Sequence, residues 1–245
     1  MQITKYKDFK QFGERDPKRG IKYLVVHSFA LSVQEMVDTC NKYGVSSHYV
    51  IDVDGNIIQL VPEDKMAWHA GKSFWYGEES LNGASIGIEI QNPTLGQTAY
   101  PEAQIDAFVE LAQDIIKRHK ILPQNIIGHS DVAPTRKVDP NFAFPWQAVA
   151  KKKVGLWPNS ENVVSRLKNK TLLKQIGYDV QDEKAALYAF MRHFAAQNFV
   201  PGAPVAGMEE RLPEEVASMP KPSKAVRQQL VRTAMLFEKY RKASR

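Results

Sequence analysis

Cysteine is almost absent from this chain, since Cys40 is the single one in 245 residues. An intramolecular disulfide is therefore excluded, and so is a zinc cluster built on several thiolates. Any metal site has to use histidine and carboxylate ligands. Cys40 falls on the apolar side of a helix predicted over residues 32–43, whose start carries a capping-box signature, Ser32 with Glu35. We expect its thiol to be buried and inert.

Long apolar runs are absent as well. The first twenty residues carry many charges and no apolar stretch, so as written they are not a signal peptide. No later run is long enough to cross a bilayer. The compartment stays open: we expect the cell envelope or periplasm if a leader precedes this stretch in the gene, and the cytoplasm if none does.

The composition is that of an ordinary folded protein, with 43% apolar and 24% charged residues. The net charge is 33 − 27 = +6, which suits an anionic partner such as nucleic acid, a membrane surface or an acidic wall polymer. A run of three lysines over 151–153 lies at the end of a predicted helix, where cations are favourable, and no stacking aromatics accompany it. We therefore expect no nucleic-acid partner, and we expect a monomer.

Short apolar runs alternate with helical patterns up to about residue 160, which predicts one α/β domain. A long amphipathic helix is predicted from Pro101 to about His119. The predicted strands are 23–26, a hairpin of 48–52 and 56–61, 86–90 and 125–128.

Beyond a polar stretch over 159–170 the pattern becomes purely helical, which predicts a second domain over 171–245. Its helices are expected over 171–176, 183–197 and 223–242. The segment between the last two helices holds Pro201, Pro204, Pro213, Pro220 and Pro222, and this spacing predicts an irregular loop.

Two histidines directly follow predicted strands, where open sheets present their ligands. His27 follows the run YLVV and His129 follows NIIG, while Asp139 lies ten residues further on. Two imidazoles and one carboxylate form a known catalytic zinc set with a fourth position for water. Spacing alone does not establish such a site, because a chain with six histidines always offers some trio of this kind.

Several motifs occur together and in a fixed order: VVHSFA, VSSHYVID, AWHAGKS, LNGASIGIEIQN, GHSDVAPTRKVDPNFAFPW and VGLWP. In this order they resemble the zinc-dependent N-acetylmuramoyl-L-alanine amidases of the amidase-2 family, which is related to the peptidoglycan recognition proteins. The resemblance covers about residues 21–158 and is strongest to the AmiD-like branch. It implies an α/β fold with a mixed sheet flanked by helices. Residues 1–160 then form the catalytic domain, and 171–245 a small all-helical peptidoglycan-binding-like domain.

The resemblance also implies a reaction and its residues. One Zn²⁺ per chain is held by His27, His129 and Asp139, and the catalytic groups are Glu89 and Lys137. The enzyme hydrolyses the amide between the lactyl group of N-acetylmuramic acid, or its 1,6-anhydro form, and L-alanine of peptidoglycan or muropeptides. The sequence leaves open the form of the sugar, the peptide length and whether the helical tail binds the wall.

The chemistry of these residue types agrees with that reading. Zinc supplies hydroxide at neutral pH, and Glu89 projects away from the isoleucine face of its strand, so it is free to accept a proton in the cleft. Lys137 and Asp139 are two residues apart in an extended segment and therefore point the same way. A cation there stabilises the oxyanion of the tetrahedral intermediate, an effect worth about 3 to 4 kcal/mol for one donor.

Four further residues of the matching motifs are candidates for substrate binding: Trp68, His69, His48 and Arg136. Trp75 and Tyr76 offer further flat surfaces to a sugar or peptide. For His48 a hydrogen-bonded histidine that opens a strand is an equally good interpretation, and Arg136 either meets a substrate carboxylate or is solvated.

Two other classes of function are open at this stage. The first is a non-catalytic peptidoglycan receptor on the same fold, although such relatives have a broken ligand set and all three ligand positions are filled here. The second is a basic nucleic-acid or surface-binding protein, which predicts salt-sensitive binding without dependence on a metal.

Overall fold

The computed structural model describes residues 1–196 and 208–244. Its centre is a six-stranded mixed sheet with helices on both faces, which confirms the predicted fold class. Within the described residues the strands, in chain order, are β1 (Ile3–Lys5), β2 (Gly13–Glu14), β3 (Tyr23–Phe29), β4 (Tyr49–Ile51), β5 (Ile57–Gln59), β6 (Lys65–Met66), β7 (Phe74–Trp75), β8 (Glu78–Glu79), β9 (Ser85–Gln91) and β10 (Ile126–Gly128).

The main sheet has the strand order β1-β5-β4-β9-β3-β10. Strands β4, β9, β3 and β10 run parallel, and β4 pairs with β5 in the predicted antiparallel hairpin. The turn of this hairpin needs Gly55, whose φ is +84°. The remaining strands form two small antiparallel ribbons, β2 with β6 and β7 with β8.

Helices cover the sheet and extend beyond it. In the described part of the chain they are α1 (Val33–Tyr43), α2 (Glu102–His119), α3 (His129–Val132), α4 (Trp146–Lys151), α5 (Asn169–Ile176), α6 (Glu183–Phe194), α7 (Met208–Ser218) and α8 (Lys224–Ala243), with 3₁₀ turns at Leu81–Ala84 and Pro123–Asn125. None of the helices described is both long and apolar enough to cross a membrane.

The two faces of the sheet bury different partners. Ile86, Ile88 and Ile90 point to one face and pack with Phe108 and Ile115 of α2 in one apolar cluster. This arrangement leaves Gly87 and Glu89 on the opposite face. The period-two alternation of β9 therefore determines which face receives the Glu89 carboxylate.

The opposite face is covered by α5, α6 and α8. Val25 of β3 and Ile127 of β10 share one buried cluster with Leu173, Phe190 and Leu230 of these helices. The C-terminal helices therefore pack directly onto the sheet, in a continuous core with it. The assignment of residues 171–245 to a peptidoglycan-binding module stays a prediction.

The prediction of an irregular loop between α6 and α8 is wrong over Met208–Ser218, because these residues form helix α7, with Pro213 inside it. Leu212 and Val216 are four residues apart, so they share one face of α7, and they pack against Ala185 and Tyr188 of α6. The proline spacing gave no sign of this pair. Tertiary burial outweighs the local proline signal here. Pro220 and Pro222 do lie in irregular backbone, whereas Pro201 and Pro204 lie outside the described residues.

Candidate functional site

The parallel register of three strands places the candidate groups side by side. In the pairing of β3 with β9, His27 is directly opposite Glu89. In the pairing of β3 with β10, Gly128 is opposite Val26, so the next residue, His129, comes level with His27. Three side chains far apart in sequence therefore meet towards the carboxyl ends of neighbouring strands. The prediction that His27 directly follows its strand is wrong, because β3 continues to Phe29, whereas His129 does follow β10.

The three predicted metal ligands converge. His27 Nδ1 lies 3.0 Å from His129 Nδ1, and Asp139 Oδ2 lies 3.0 Å and 3.1 Å from these two nitrogens. Both imidazoles are buried and the carboxylate is partly buried. Zinc binds such nitrogen and oxygen atoms at about 2.0 to 2.2 Å in tetrahedral sites, so three donors about 3 Å apart fit one ion. Among the described residues, these three side chains form the group of His, Cys, Asp or Glu residues whose ligand atoms lie close enough together to hold one metal ion.

Asp139 reaches the sheet through the segment that follows α3. The Ser130 amide donates to the Asp139 carbonyl at 2.7 Å, and the Asn141 amide donates to Ser28 Oγ at 3.0 Å. These bonds tie both ends of the turn to the end of β3 and to the start of α3. The predicted ligand therefore arrives from a loop anchored on both sides.

A chain of hydrogen bonds fixes which nitrogen of His27 carries the proton. Ser85 Oγ donates to the Leu81 carbonyl at 2.7 Å, so it accepts from His69 Nε2 at 3.1 Å. His69 Nδ1 is then an acceptor, and it receives the His27 Nε2 proton at 2.9 Å. His27 Nδ1 is left with a lone pair directed at the metal position, which is the arrangement expected behind a ligating histidine.

His129 is held in the same way by the backbone. Its Nε2 donates to the Ala70 carbonyl at 3.3 Å, which leaves Nδ1 as the acceptor on the side of Asp139. Arg136 donates to the same Ala70 carbonyl and to the Lys72 carbonyl, the latter at 2.9 Å from Nη2. Arg136 therefore ties the loop of Ala70 and Lys72, which supplies the acceptor for His129, to the segment that carries Lys137 and Asp139.

The electrostatics of the ligands suit a cation. Burial, with His129 nearby, lowers the pKa of His27 to about 4, so this imidazole is neutral at physiological pH and able to ligate. Burial by itself raises the pKa of Asp139, but its interactions with His129 and His27 outweigh burial and hold that pKa well below its usual range. His27 therefore offers a neutral imidazole and Asp139 a carboxylate to a cation at this position.

Glu89 lies beside the ligands and does not belong to them. Its Oε1 is 3.9 Å from His27 Nδ1, and its carboxylate lines the cleft. Burial, and then the charge of Asp139, raise its pKa to about 8, while Lys137 lowers it. A carboxylate with a pKa near neutrality can both accept and return a proton.

The cleft around these groups has a volume of about 590 Å³, which suits a small ligand. Trp68, His69, Arg136 and Lys137 line it together with the metal trio and Glu89. Met36 and Cys40 of α1 add an apolar part to its wall, and burial raises the pKa of the Cys40 thiol to about 12, so it stays protonated.

Three other aromatic and imidazole candidates lie elsewhere. His48 is fully buried, accepts from the Gly87 amide at 3.0 Å and contacts the Lys65 carbonyl at 3.2 Å, as expected for a histidine that opens a strand. Trp75 is buried against Tyr178 in the core, and Tyr76 packs at the edge of the same cluster. None of the three lines the cleft, so the expectation that Trp75 and Tyr76 offer flat surfaces there is wrong.

Arg192 was missed by the sequence reasoning. It comes from α6 and lines the cleft, but its surroundings in the sequence are those of an ordinary amphipathic helix. Only the packing of α6 onto the sheet places it beside Val138.

Comparison with known proteins agrees with this site. The profile of the Amidase_2 family, described as N-acetylmuramoyl-L-alanine amidase, matches residues 17–142, just over half of the chain. AmiD from Escherichia coli K12 is 37% identical over 206 residues, covering 71% of this chain and 75% of that protein. This chain belongs to the N-acetylmuramoyl-L-alanine amidase family.

Other members of the amidase family are similar over different lengths. AmpD from Enterobacter cloacae, a 1,6-anhydro-N-acetylmuramyl-L-alanine amidase, is 45% identical over 102 residues, or 42% of this chain and 54% of that protein. The structure of E. coli AmiD with anhydro-N-acetylmuramic acid-L-Ala-D-γ-Glu-L-Lys superposes with a TM-score of 0.65 over 72% of this chain and 81% of that one, at 35% identity. Pseudomonas aeruginosa AmpDh3 with an anhydromuramic pentapeptide has a TM-score of 0.66 at 28% identity, over 79% and 89% of the two chains.

Proposed function

We propose that this chain is a zinc-dependent amidase that hydrolyses the bond between the lactyl group of a muramic acid and L-alanine in peptidoglycan fragments. The observation that carries the proposal is the meeting of His27, His129 and Asp139 within about 3 Å of one another, beside Glu89, in a member of this amidase family. The anhydromuramyl peptides bound to AmiD and AmpDh3 support this substrate class.

The metal would be held by His27 Nδ1, His129 Nδ1 and one carboxylate oxygen of Asp139. When bound, zinc supplies a Lewis acid and lowers the pKa of water at its open position to about 7. The hydrogen bonds from His27 to His69 and from His129 to Ala70 keep both Nδ1 atoms unprotonated and correctly aimed.

Glu89 is the proposed proton carrier. Its carboxylate shares the cleft with the three ligands, so it can take the proton from the attacking water and deliver it to the nitrogen of the departing L-alanine. Protonation of this nitrogen is needed because L-alanine would otherwise have to leave as the anion of its amine, which is a poor leaving group. One residue therefore serves as base in the first step and as acid in the second.

Lys137 is the proposed oxyanion donor. Its side chain lines the cleft two residues before Asp139, and a cation there stabilises the negative charge that develops on the carbonyl oxygen. Trp68 offers an aromatic surface in the same cleft, and Arg136 adds a guanidinium to its lining. We propose these two as substrate contacts, and His48 and His69 as supports of the site.

The proposal is tested with a 1,6-anhydro-N-acetylmuramyl tripeptide and its reducing-end counterpart, with products identified by mass spectrometry. We expect a peptide with a free L-alanine amine, no product in the presence of a chelator, and recovery on adding one equivalent of zinc. Binding of the muropeptide without chelator-sensitive cleavage would instead indicate the receptor alternative.

Two variants separate the roles of the residues. Glu89→Gln is expected to keep one zinc per chain and to lose turnover by about 10² to 10⁴-fold, because proton transfer is removed while the ligands are intact. His129→Ala is expected to lose both zinc and turnover. Full activity of either variant contradicts the assignment.

The wider setting is also part of the proposal. We propose a monomer that acts in the cell envelope if a leader precedes this stretch in the gene, and in the cytoplasm if none does; fractionation of cells that express the full gene decides between the two. If the C-terminal helices bind the wall independently, sedimentation of the Glu89→Gln chain with sacculi will persist when a muropeptide saturates the cleft. Loss of sedimentation under these conditions would assign wall binding to the cleft alone.

A further inference from the structure

Helix α6 contacts the metal site through two consecutive side chains, Arg192 and His193. Both are buried, with 2% and 5% of their surface exposed. They belong to the C-terminal helices, more than 50 residues after Asp139 in the chain. Each bonds to one of the two segments that carry metal ligands outside the sheet.

Arg192 holds the segment that carries Lys137 and Asp139. Its Nη2 donates to the carbonyl of Val138, the residue between them. Nε and Nη1 of Arg192 are buried and make no hydrogen bond within residues 1–196 and 208–244. Leaving two buried donors unpaired is unfavourable, and the guanidinium is held by its bond to the Val138 carbonyl and by the Tyr188 ring, whose centroid is 5.9 Å away.

His193 holds the turn that carries His129. Its Nδ1 donates to Asp131 Oδ2 at 2.6 Å, and its ring is stacked on Trp146 with 3.8 Å between the centroids. The same Asp131 carboxylate, 1% exposed, accepts from the Gly128 amide at 2.7 Å and from the Tyr178 hydroxyl at 2.6 Å. The backbone on either side of His129 is thus fixed through a carboxylate that His193 of α6 and Tyr178, two residues after α5, hold in place.

We propose that Arg192 and His193 are positioning residues of the metal site, which act through the Val138 carbonyl and the Asp131 carboxylate on Asp139 and His129. The inference rests on the proposed function, since it concerns the same three ligands. Metal affinity depends on the outer groups that orient the ligands, and two of the three ligands here come from a loop and a four-residue helix. On this account the C-terminal helices are a structural part of the catalytic centre.

The test compares metal binding by full-length variants. Arg192→Met removes the donor and keeps an apolar stem of similar length, while Arg192→Lys keeps a cationic donor. We expect Arg192→Met to weaken the dissociation constant for Zn²⁺, measured by competition with a chromophoric chelator, about 10-fold or more. We also expect it to change the visible absorption spectrum of the Co²⁺-loaded protein, and Arg192→Lys to recover most of both.

The chain offers a matched control in Arg227, which joins α8 to the start of α5 and to the residues just before it. Its guanidinium likewise donates to a backbone carbonyl, that of Leu167, and to Asn169 Oδ1 at 2.7 Å, and Arg227 does not line the cleft. Arg227→Met is expected to lower the melting temperature and to leave the Zn²⁺ dissociation constant and the Co²⁺ spectrum unchanged. A purely structural role for Arg192 predicts this same behaviour for Arg192→Met.

A second variant keeps the proposal testable if Arg192→Met does not fold. His193→Phe retains a ring between Trp146 and Phe194 and removes the donor to Asp131, so we expect weaker Zn²⁺ binding here too. If the folded variants match the unmodified chain in Zn²⁺ affinity and in Co²⁺ spectrum, the positioning role is overturned and the proposed function is not. Failure of the unmodified chain to bind Zn²⁺ overturns the proposed function, and this inference with it.

Discussion

At the scale of single residues, the site depends on which ring nitrogen of each histidine carries its proton. The N–H at His27 Nε2 donates a hydrogen bond to His69 Nδ1, and the N–H at His69 Nε2 donates to Ser85 Oγ. Both directions follow because the Ser85 hydroxyl itself donates to the Leu81 carbonyl. A ligand histidine in the other tautomer would point a proton at the metal. His69 is therefore a support for a ligand, although it also lines the cleft.

His69→Phe tests this support. Phenylalanine keeps an aromatic ring of similar size and removes the acceptor of the His27 Nε2 proton, so we expect Zn²⁺ affinity to fall about 10 to 100-fold. Equilibrium dialysis against a zinc buffer gives the dissociation constant. His119→Phe is the control, because His119 pairs with Glu63 away from the cleft. An affinity equal to that of the unmodified chain would show that the tautomer of His27 is fixed by other means.

Local sequence patterns marked the proposed ligands but not the residues of α6 that hold their segments. His27, His129 and Asp139 were found because strand ends and a motif resemblance marked them, and the structure brings their donor atoms together. Arg192 and His193 carry no such signal, since their partners are a backbone carbonyl and a carboxylate that only the packing of α6 brings near. His48 shows the converse, because a histidine within a matching motif lies outside the cleft.

At the scale of elements, the period of β9 and the parallel register decide the geometry of the site. The alternation of isoleucine with glycine and glutamate in β9 predicted its two faces, and this is confirmed. The capping box of α1 is also confirmed, with Ser32 and Glu35 bonded reciprocally. Helix α7 was missed because proline propensity is local, whereas the burial of Leu212 and Val216 depends on α6.

Gly87→Ala tests the contact between β9 and the imidazole behind the ligands. A Cβ at this position would lie 2.6 Å from Cγ and 2.7 Å from Nδ1 of His69, so the ring has to leave the position in which it accepts from His27. We expect weaker Zn²⁺ binding and a loss of turnover of about 10-fold or more, measured with the muropeptide assay. Gly13→Ala serves as the control for zinc binding, because the nearest atom is the flexible end of Met66 at 3.1 Å and the ring of Trp68 is in ordinary contact at 3.5 Å. Unchanged zinc binding in Gly87→Ala would separate His69 from the metal site.

At the scale of the whole molecule, the fold joins parts that are remote in sequence through a few buried polar clusters. One of these centres on Glu63, which accepts from Tyr49 at 2.7 Å and from Arg118 Nη2 at 2.8 Å, beside His119. Burial alone would raise its pKa, but the bonds from Arg118, His119 and Tyr49 outweigh burial and lower it from 4.5 to about 2. The cluster connects the end of α2 with β4 and with the segment after β5.

Glu63→Gln tests the contribution of this cluster to stability. Because the folded-state pKa is depressed, the stabilisation is present above pH 4.5 and is lost as the pH falls towards 2. We expect the variant to be less stable by about 1 to 2 kcal/mol at pH 7, a figure reduced by solvent screening, and the difference to vanish near pH 2. Urea unfolding across this range measures it. Glu14→Gln, at an exposed ion pair with Lys65, should change stability much less, because solvent screens the pair, and an equal loss in both variants would contradict this expectation.

The claim on which the account depends is that His27, His129 and Asp139 share one metal ion. Anomalous diffraction at the zinc absorption edge, from crystals of the zinc-loaded chain, tests it most directly. The account predicts one strong peak per chain, in contact with Nδ1 of both histidines and with a carboxylate oxygen of Asp139. A peak at any other group of residues, or none in a chain shown to be folded, would contradict it.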